Sequence, residues 1–189
     1  MRVGLFGGSF SPIHIGHMAL ANYLCEYGGI DELWFMVSPR NPLKADATLL
    51  PDDLRLKLVT LSIRGYPRMR VCDVEFRMPR PSYTVHTLSE LRRLYPQHRF
   101  SLIIGSDNWA LFPQWHDGEE ILRTTPIIIY PRPEHPVDRS TLPAGVTLLD
   151  APTFQISSTF IRKALAEGRD IRFLLPPGVY EALKTSDNK

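Results

Sequence analysis

Gly7-Gly8-Ser9-Phe10-Ser11-Pro12-Ile13-His14-Ile15-Gly16-His17 is the stretch whose reading decides the fold. Before it runs a short apolar segment, Val3-Gly4-Leu5-Phe6. After it comes Met18 to Tyr27, where Met18, Leu20, Ala21, Leu24 and Cys25 recur with a period near that of a helix. The order is therefore strand, glycine-rich turn, helix. Gly7 and Gly8 carry no side chain, so their backbone N–H groups can approach a ligand closely. The helix start adds unpaired N–H groups and the positive end of a dipole, which suits an anion. His14 and His17 share one face of that turn, where imidazoles can donate hydrogen bonds to phosphate oxygens. Gly16 between them leaves room for a flat group against the backbone.

Other phosphate and nucleophile motifs do not match. No G-x-x-x-x-G-K-[ST] is present, and Gly4, Gly7, Gly8 and Gly16 do not make the dinucleotide fingerprint G-x-G-x-x-G. There is no G-x-S-x-G elbow and no cysteine–histidine metal cluster.

The same alternation continues along the chain. Strands are expected at Arg2–Phe6, Leu33–Val37, Met69–Cys72, Phe100–Ile104, Pro126–Tyr130 and Val146–Leu149. Helices are expected from Ile15 to Tyr27, from a cap at Asp52 or Asp53 through Leu61, and from Ser82 to Leu94. Two more follow, from Ser157 to Glu167 and from Pro176 to Leu183. Apolar strands alternating with helices imply parallel βαβ units: an α/β, Rossmann-like doubly wound sheet. One domain over 1–189 is expected, with the helical segment from about 157 included. In such sheets ligands sit beyond the carboxyl ends of the strands. The Gly7–His17 turn, the Ser38–Lys44 loop and Gly105-Ser106-Asp107 all follow strands, so they are expected to form one composite site.

Composition sets the limits. With 189 residues, 43% hydrophobic and 22% charged, the chain can bury a full core. A net charge of +2 gives no bias toward nucleic acid or membrane. Cys25 and Cys72 lack metal-site spacing and fit a reducing compartment. Met1-Arg2 leads straight into a strand, so no signal peptide is expected. No apolar run approaches the ~20 residues that span a bilayer. These features lead us to expect a soluble cytoplasmic protein, with a homo-oligomer left open.

At this point the residues reach a family. The segment from Gly7 to His17 resembles the (H/T)xGH signature of the nucleotidyltransferases, and Ile156-Ser157-Ser158-Thr159-Phe160-Ile161-Arg162 resembles their second signature, ISSTxxR. Asp73-x-Glu75, Ser82-Tyr83-Thr84-x-x-Thr87-Leu88, Ile104-Gly105-Ser106-Asp107 and Trp115 resemble one branch, the bacterial nicotinate mononucleotide adenylyltransferases of NAD biosynthesis. The likeness covers nearly the whole chain. It implies transfer of AMP from ATP to nicotinate mononucleotide, with pyrophosphate leaving and no covalent enzyme intermediate.

The resemblance also implies roles. His14, His17 and Arg162 would be catalytic, binding and stabilising the ATP phosphates. Gly8, Ser9 and Phe10 would give backbone contacts to the nucleotides. Ser158 and Thr159 would hold the β- and γ-phosphates, since a guanidinium one turn on makes this more than a plain helix cap. Gly105 and Asp107 would face the ATP ribose. Lys44 would meet the mononucleotide phosphate, and Thr84 and Trp115 would bind and stack the pyridine. Mg²⁺ would be held through the triphosphate rather than by protein ligands.

Three departures stand out. Ser11 replaces the family's usual aspartate, Leu43 its usual histidine in the loop before Lys44, and His86 another aspartate. Two sister acceptors remain open, nicotinamide mononucleotide and phosphopantetheine. So does a nucleotide-binding regulator without catalysis, against which the intact His14, Gly16, His17 and Arg162 argue.

Overall fold

A computed structural model describes residues 1–39 and 49–186. Six parallel strands make one sheet: β1 (Arg2–Gly8), β2 (Glu32–Val37), β3 (Met69–Cys72), β4 (Arg99–Gly105), β5 (Ile127–Tyr130) and β6 (Val146–Leu148). Their order across the sheet is β3-β2-β1-β4-β5-β6. The chain thus steps outward from β1 in one direction, returns to β4 on the other side, and steps outward again. The turning point lies between β1 and β4, where a crevice opens beyond the strands' carboxyl ends.

The helices are α1 (Ile15–Tyr27), α2 (Asp52–Ser62), α3 (Thr84–Leu94), α4 (Ser106–Leu111), α5 (Gly118–Thr124), α6 (Ser158–Ala166) and α7 (Val179–Ser186). Alternate residues of each strand feed two cores. Phe6, Phe35, Ile103 and Ile128 face α1, α2, α6 and α7 through Leu24, Leu58, Ile161 and Val179. Val3, Leu5, Leu102 and Ile129 face α3 and α5 through Leu88, Leu91 and Ile121. Every residue of β2 is buried, as expected of a strand covered on both faces.

Several expected boundaries move for identifiable reasons. The third helix begins at Thr84 rather than Ser82, because the Ser82 hydroxyl donates to Glu75 instead of capping. Asp52 is not a cap but the first residue of α2, with its carboxylate on Arg55 and Arg80. The last helix starts at Val179, after a turn through Gly178 at φ +80°. Helices α4 and α5 and the 3-10 turn between them fill the span from Ser106 to Thr124, for which the sequence reading offered no element.

Candidate active site

The first turn is built around two imidazoles. His14 precedes α1 in an extended conformation, so its backbone N–H points back along the helix start and donates to His17 Nδ1 at 3.2 Å. With Nδ1 accepting, the proton of a neutral His17 ring sits on Nε2. The two rings stack, with centroids 3.7 Å apart and planes 24° apart. Gly16 makes this possible: a Cβ there would lie 3.1 Å from His14 Nδ1. Burial, helped by the Arg132 guanidinium, pushes His14 down to about 4. Burial also drives His17 well below the ordinary imidazole value, reinforced by His14 and Arg132. Near neutral pH both rings are therefore uncharged donors rather than cations.

The far end of the chain closes over this turn. Ser157 caps α6, its hydroxyl accepting from the Phe160 N–H at 3.1 Å. One residue on, the Ser158 hydroxyl donates to the Pro12 carbonyl at 2.9 Å. Arg162 donates to the Ser11 carbonyl at 2.6 Å and to the Thr159 hydroxyl at 3.3 Å. The two signature segments thus meet directly, and the positive end of α6 faces the crevice. Ser11 is fully buried and turned away from that crevice; its Oγ accepts from the Leu50 N–H at 2.9 Å. At this position the side chain ties down a neighbouring segment and presents nothing to a ligand.

A cleft of about 400 Å³ runs along the crevice. Its walls include Gly8, Ser9, Phe10, His14, His17, Gly105, Asp107, Ser158, Thr159 and Arg162. Thr84, Trp115, Tyr83 and His116 line it too. All the site residues expected from sequence therefore line one cleft, apart from Lys44, which lies outside the described residues. The Phe10 ring itself is core, edge-on to Phe6 and Phe35, and its φ of 44° turns the backbone toward the cleft. His86 does not line the cleft. It is exposed and joins Tyr83 and His116 in a cluster whose closest rings, Tyr83 and His116, are 4.4 Å apart.

Two residues of this region, Arg132 and Arg55, escaped the sequence reading, and a third, Glu75, entered it only within the Asp73-x-Glu75 resemblance, with no role attached. Arg132 follows β5, with its N–H on the Ser106 hydroxyl at 2.8 Å and its guanidinium over the Tyr130 ring at 5.1 Å. Its Nε and Asp107 Oδ1 lie 3.9 Å apart, and neither has a hydrogen-bond partner although both are buried. His14 Nδ1 and Trp115 Nε1 are in the same condition. Four buried polar atoms without a protein partner thus gather on residues that line one cleft. Arg55, fully buried, donates to the carbonyls of Ser9, Ser38, Pro39 and Leu50 at 2.7, 2.7, 3.2 and 3.0 Å. Glu75 is buried at the cleft wall. A lone arginine after a strand carries no sequence signal; only the sheet order sets it beside the first turn.

Comparison with known proteins agrees with this geometry. Residues 5–164 match the cytidylyltransferase-like family. A protein of Bacteroides fragilis named for nicotinate-nucleotide adenylyltransferase is 59% identical over 182 residues, covering 96% of this chain and 90% of the relative. A similarly named protein of Porphyromonas gingivalis is 50% identical over 177 residues, covering 93% and 90%. Among solved structures, Plasmodium falciparum nicotinic acid mononucleotide adenylyltransferase complexed with NaAD superposes with a TM-score of 0.80. That match has 23% identity and covers 98% of this chain and 96% of the other, and it speaks for the fold.

Proposed function

The chain belongs to the cytidylyltransferase-like family of nucleotidyltransferases, on its nicotinate-nucleotide adenylyltransferase branch, and from that premise we propose that it joins ATP and nicotinate mononucleotide. The observation that carries this reading is the direct contact of the two signature segments across one cleft at the sheet's turning point. Among the described residues that line the cleft, none is read as a nucleophile paired with a base, and none is needed. An oxygen of the mononucleotide phosphate attacks the α-phosphorus of ATP, the bond to the bridging oxygen breaks, and pyrophosphate leaves.

The residues then work by positioning and by matching developing charge. His17 donates from Nε2 to the α-phosphate region, and His14 stacks behind it. Arg162, Thr159, Ser158 and the α6 N-terminus receive the β- and γ-phosphates. Arg132 shares that negative charge, and Asp107 takes the ribose hydroxyls. Gly8, Ser9 and Phe10 line the nucleotides with backbone. At the other end Thr84 and Trp115 hold the pyridine, with Lys44 assigned to the mononucleotide phosphate. Mg²⁺ enters with the triphosphate as part of the substrate; among the described residues no cluster of three carboxylate, imidazole or thiol groups gathers to hold an ion.

We read 1–189 as one such domain working in the cytoplasm. No helix among the described residues is long and apolar enough to cross a membrane.

An acceptor panel with a pyrophosphate readout tests the proposal. Nicotinate mononucleotide is expected to react fastest, the amide much more slowly and phosphopantetheine not at all. Faster release with either alternative would overturn the assignment of the acceptor.

A further inference from the structure

The buried carboxylate of Glu75 has no part in the reaction described above, yet it sits where the acceptor end of the cleft is assembled. Glu75 is 4% exposed and follows β3 in a short 3-10 turn over Val74–Arg77. Its two oxygens are divided between separate donors. Oε1 accepts from the Thr87 hydroxyl at 3.0 Å, and Oε2 from the Ser82 hydroxyl at 3.2 Å. The Ser38 hydroxyl, at the end of β2, donates to the same carboxylate. Burial raises the Glu75 carboxyl and these three hydroxyls oppose the rise. A buried ionisable group in the wall of a cleft is a candidate for a functional role.

What the carboxylate holds is specific. Ser82 and Thr87 flank Tyr83 and Thr84, so two hydroxyl anchors bracket the first turn of α3. The Thr87 hydroxyl also lies 3.2 Å from the Tyr83 carbonyl, which fixes the helix entry from inside. Tyr83 and Thr84 both line the cleft, as Trp115 does. The imidazoles and Arg162 make no contact with Glu75 in this network.

We propose that Glu75 is a positioning residue for the acceptor: its carboxylate locks Ser82, Thr87 and Ser38 so that Tyr83 and Thr84 stand in register to receive the pyridine ring. The inference rests on the proposed function, because it takes the acceptor to be a pyridine mononucleotide. It separates the two ends of the cleft energetically. Loss of the carboxylate loosens the acceptor end and leaves the nucleotide end, built on α1 and α6, as it was.

Steady-state kinetics of Glu75→Ala, Glu75→Gln and Thr87→Val test this, with KM measured separately for ATP and for nicotinate mononucleotide. Glu75→Ala is expected to raise the mononucleotide KM about tenfold or more, while the ATP KM stays within about twofold. Glu75→Gln, which still offers one oxygen and one amide to the two hydroxyls, is expected to recover most of the loss. Thr87→Val removes one anchor without touching the carboxylate, and is expected to fall between. It also serves should Glu75→Ala fail to fold. Equal rises in both KM values, or a fall in kcat alone with both KM values unchanged, would overturn the inference. If the unmodified protein releases no pyrophosphate with any pyridine mononucleotide, the proposed function and this inference fail together. If it does so while the Glu75 and Thr87 variants show no selective effect, the inference alone fails.

Discussion

His14 and His17 stack face to face with centroids 3.7 Å apart, and the backbone N–H of one is bonded to the ring of the other. That pairing fixes which nitrogen of His17 bears its proton, while burial, helped by Arg132, keeps both rings neutral. A neutral donor can strengthen its hydrogen bond as charge accumulates on a phosphate without first paying to desolvate an ion.

Replacing His17 with alanine removes the Nε2 donor and is expected to lower kcat about 10²–10³-fold, the range seen when one well-placed donor to a developing anion is lost. Pyrophosphate release measures it. Thermal unfolding should show that the variant remains folded at the assay temperature. Turnover within a factor of two of the unmodified protein would remove His17 from the mechanism.

Gly16→Ala probes the stack without deleting any polar group. The new Cβ would sit 3.1 Å from His14 Nδ1 and 3.4 Å from Phe154 Cβ, so the His14 ring must shift. Alanine favours the helix by about 1 kcal/mol relative to glycine. We therefore expect activity to fall about tenfold or more while stability to urea holds or rises. Unchanged activity would mean that the ring position is not critical.

The same histidines set a pH dependence of stability. Both fold with lowered pKa values, His14 at about 4. Unfolded imidazoles titrate near 6.5. Between those values the unfolded chain binds protons that the folded one excludes, so stability falls as pH drops from about 6.5 toward 4. The slope approaches 1.4 kcal/mol per pH unit for each such group. Urea midpoints measured across that window should decline in the unmodified protein and decline less in a His14→Gln variant. Matching slopes would refute the assignment.

Arg55 should matter for folding well before it matters for turnover. Its guanidinium satisfies carbonyls of the first turn, of the β2 end and of Leu50 from a position with no exposure. Arg55→Met leaves those carbonyls, and the Asp52 carboxylate, without their donor. A loss of about 3–5 kcal/mol in urea unfolding is expected. A loss below about 1 kcal/mol would show that water replaces the guanidinium readily.

Much of this architecture is legible in the chain itself. The inner strands announce themselves because both faces of a parallel sheet are covered there, which forces uninterrupted apolar runs such as Leu33–Val37 and Ile127–Tyr130. The helices that pack on them keep their apolar period, and α6 starts where Ser157 says it should. The region between β4 and β5 is illegible by the same logic. Helices α4 and α5 have 6 and 7 residues, too short to establish a period, and they reach the core through Trp109 and Ile121, with Phe112 of the turn between them. The site divides similarly. Residues in contiguous motifs, such as His14 to His17 and Ser158 to Arg162, can be read off. Arg132 and Arg55 take their meaning from partners that lie far away in sequence, 26 residues away for Arg132 and Ser106 and 46 for Arg55 and Ser9, and no local pattern encodes that.

The hydrogen bonds from Ser158 to Pro12 and from Arg162 to Ser11 span 146 and 151 residues. The Gly7–His17 turn is synthesised well before the α6 anchors, at about 5–20 residues per second. Until those anchors arrive the turn lacks the Ser158 and Arg162 donors. The site cannot exist as a working unit until the chain past Arg162 has emerged and docked. A product cut short before α6 would carry the glycine-rich turn and both histidines yet lack the Ser158 and Arg162 donors that hold it.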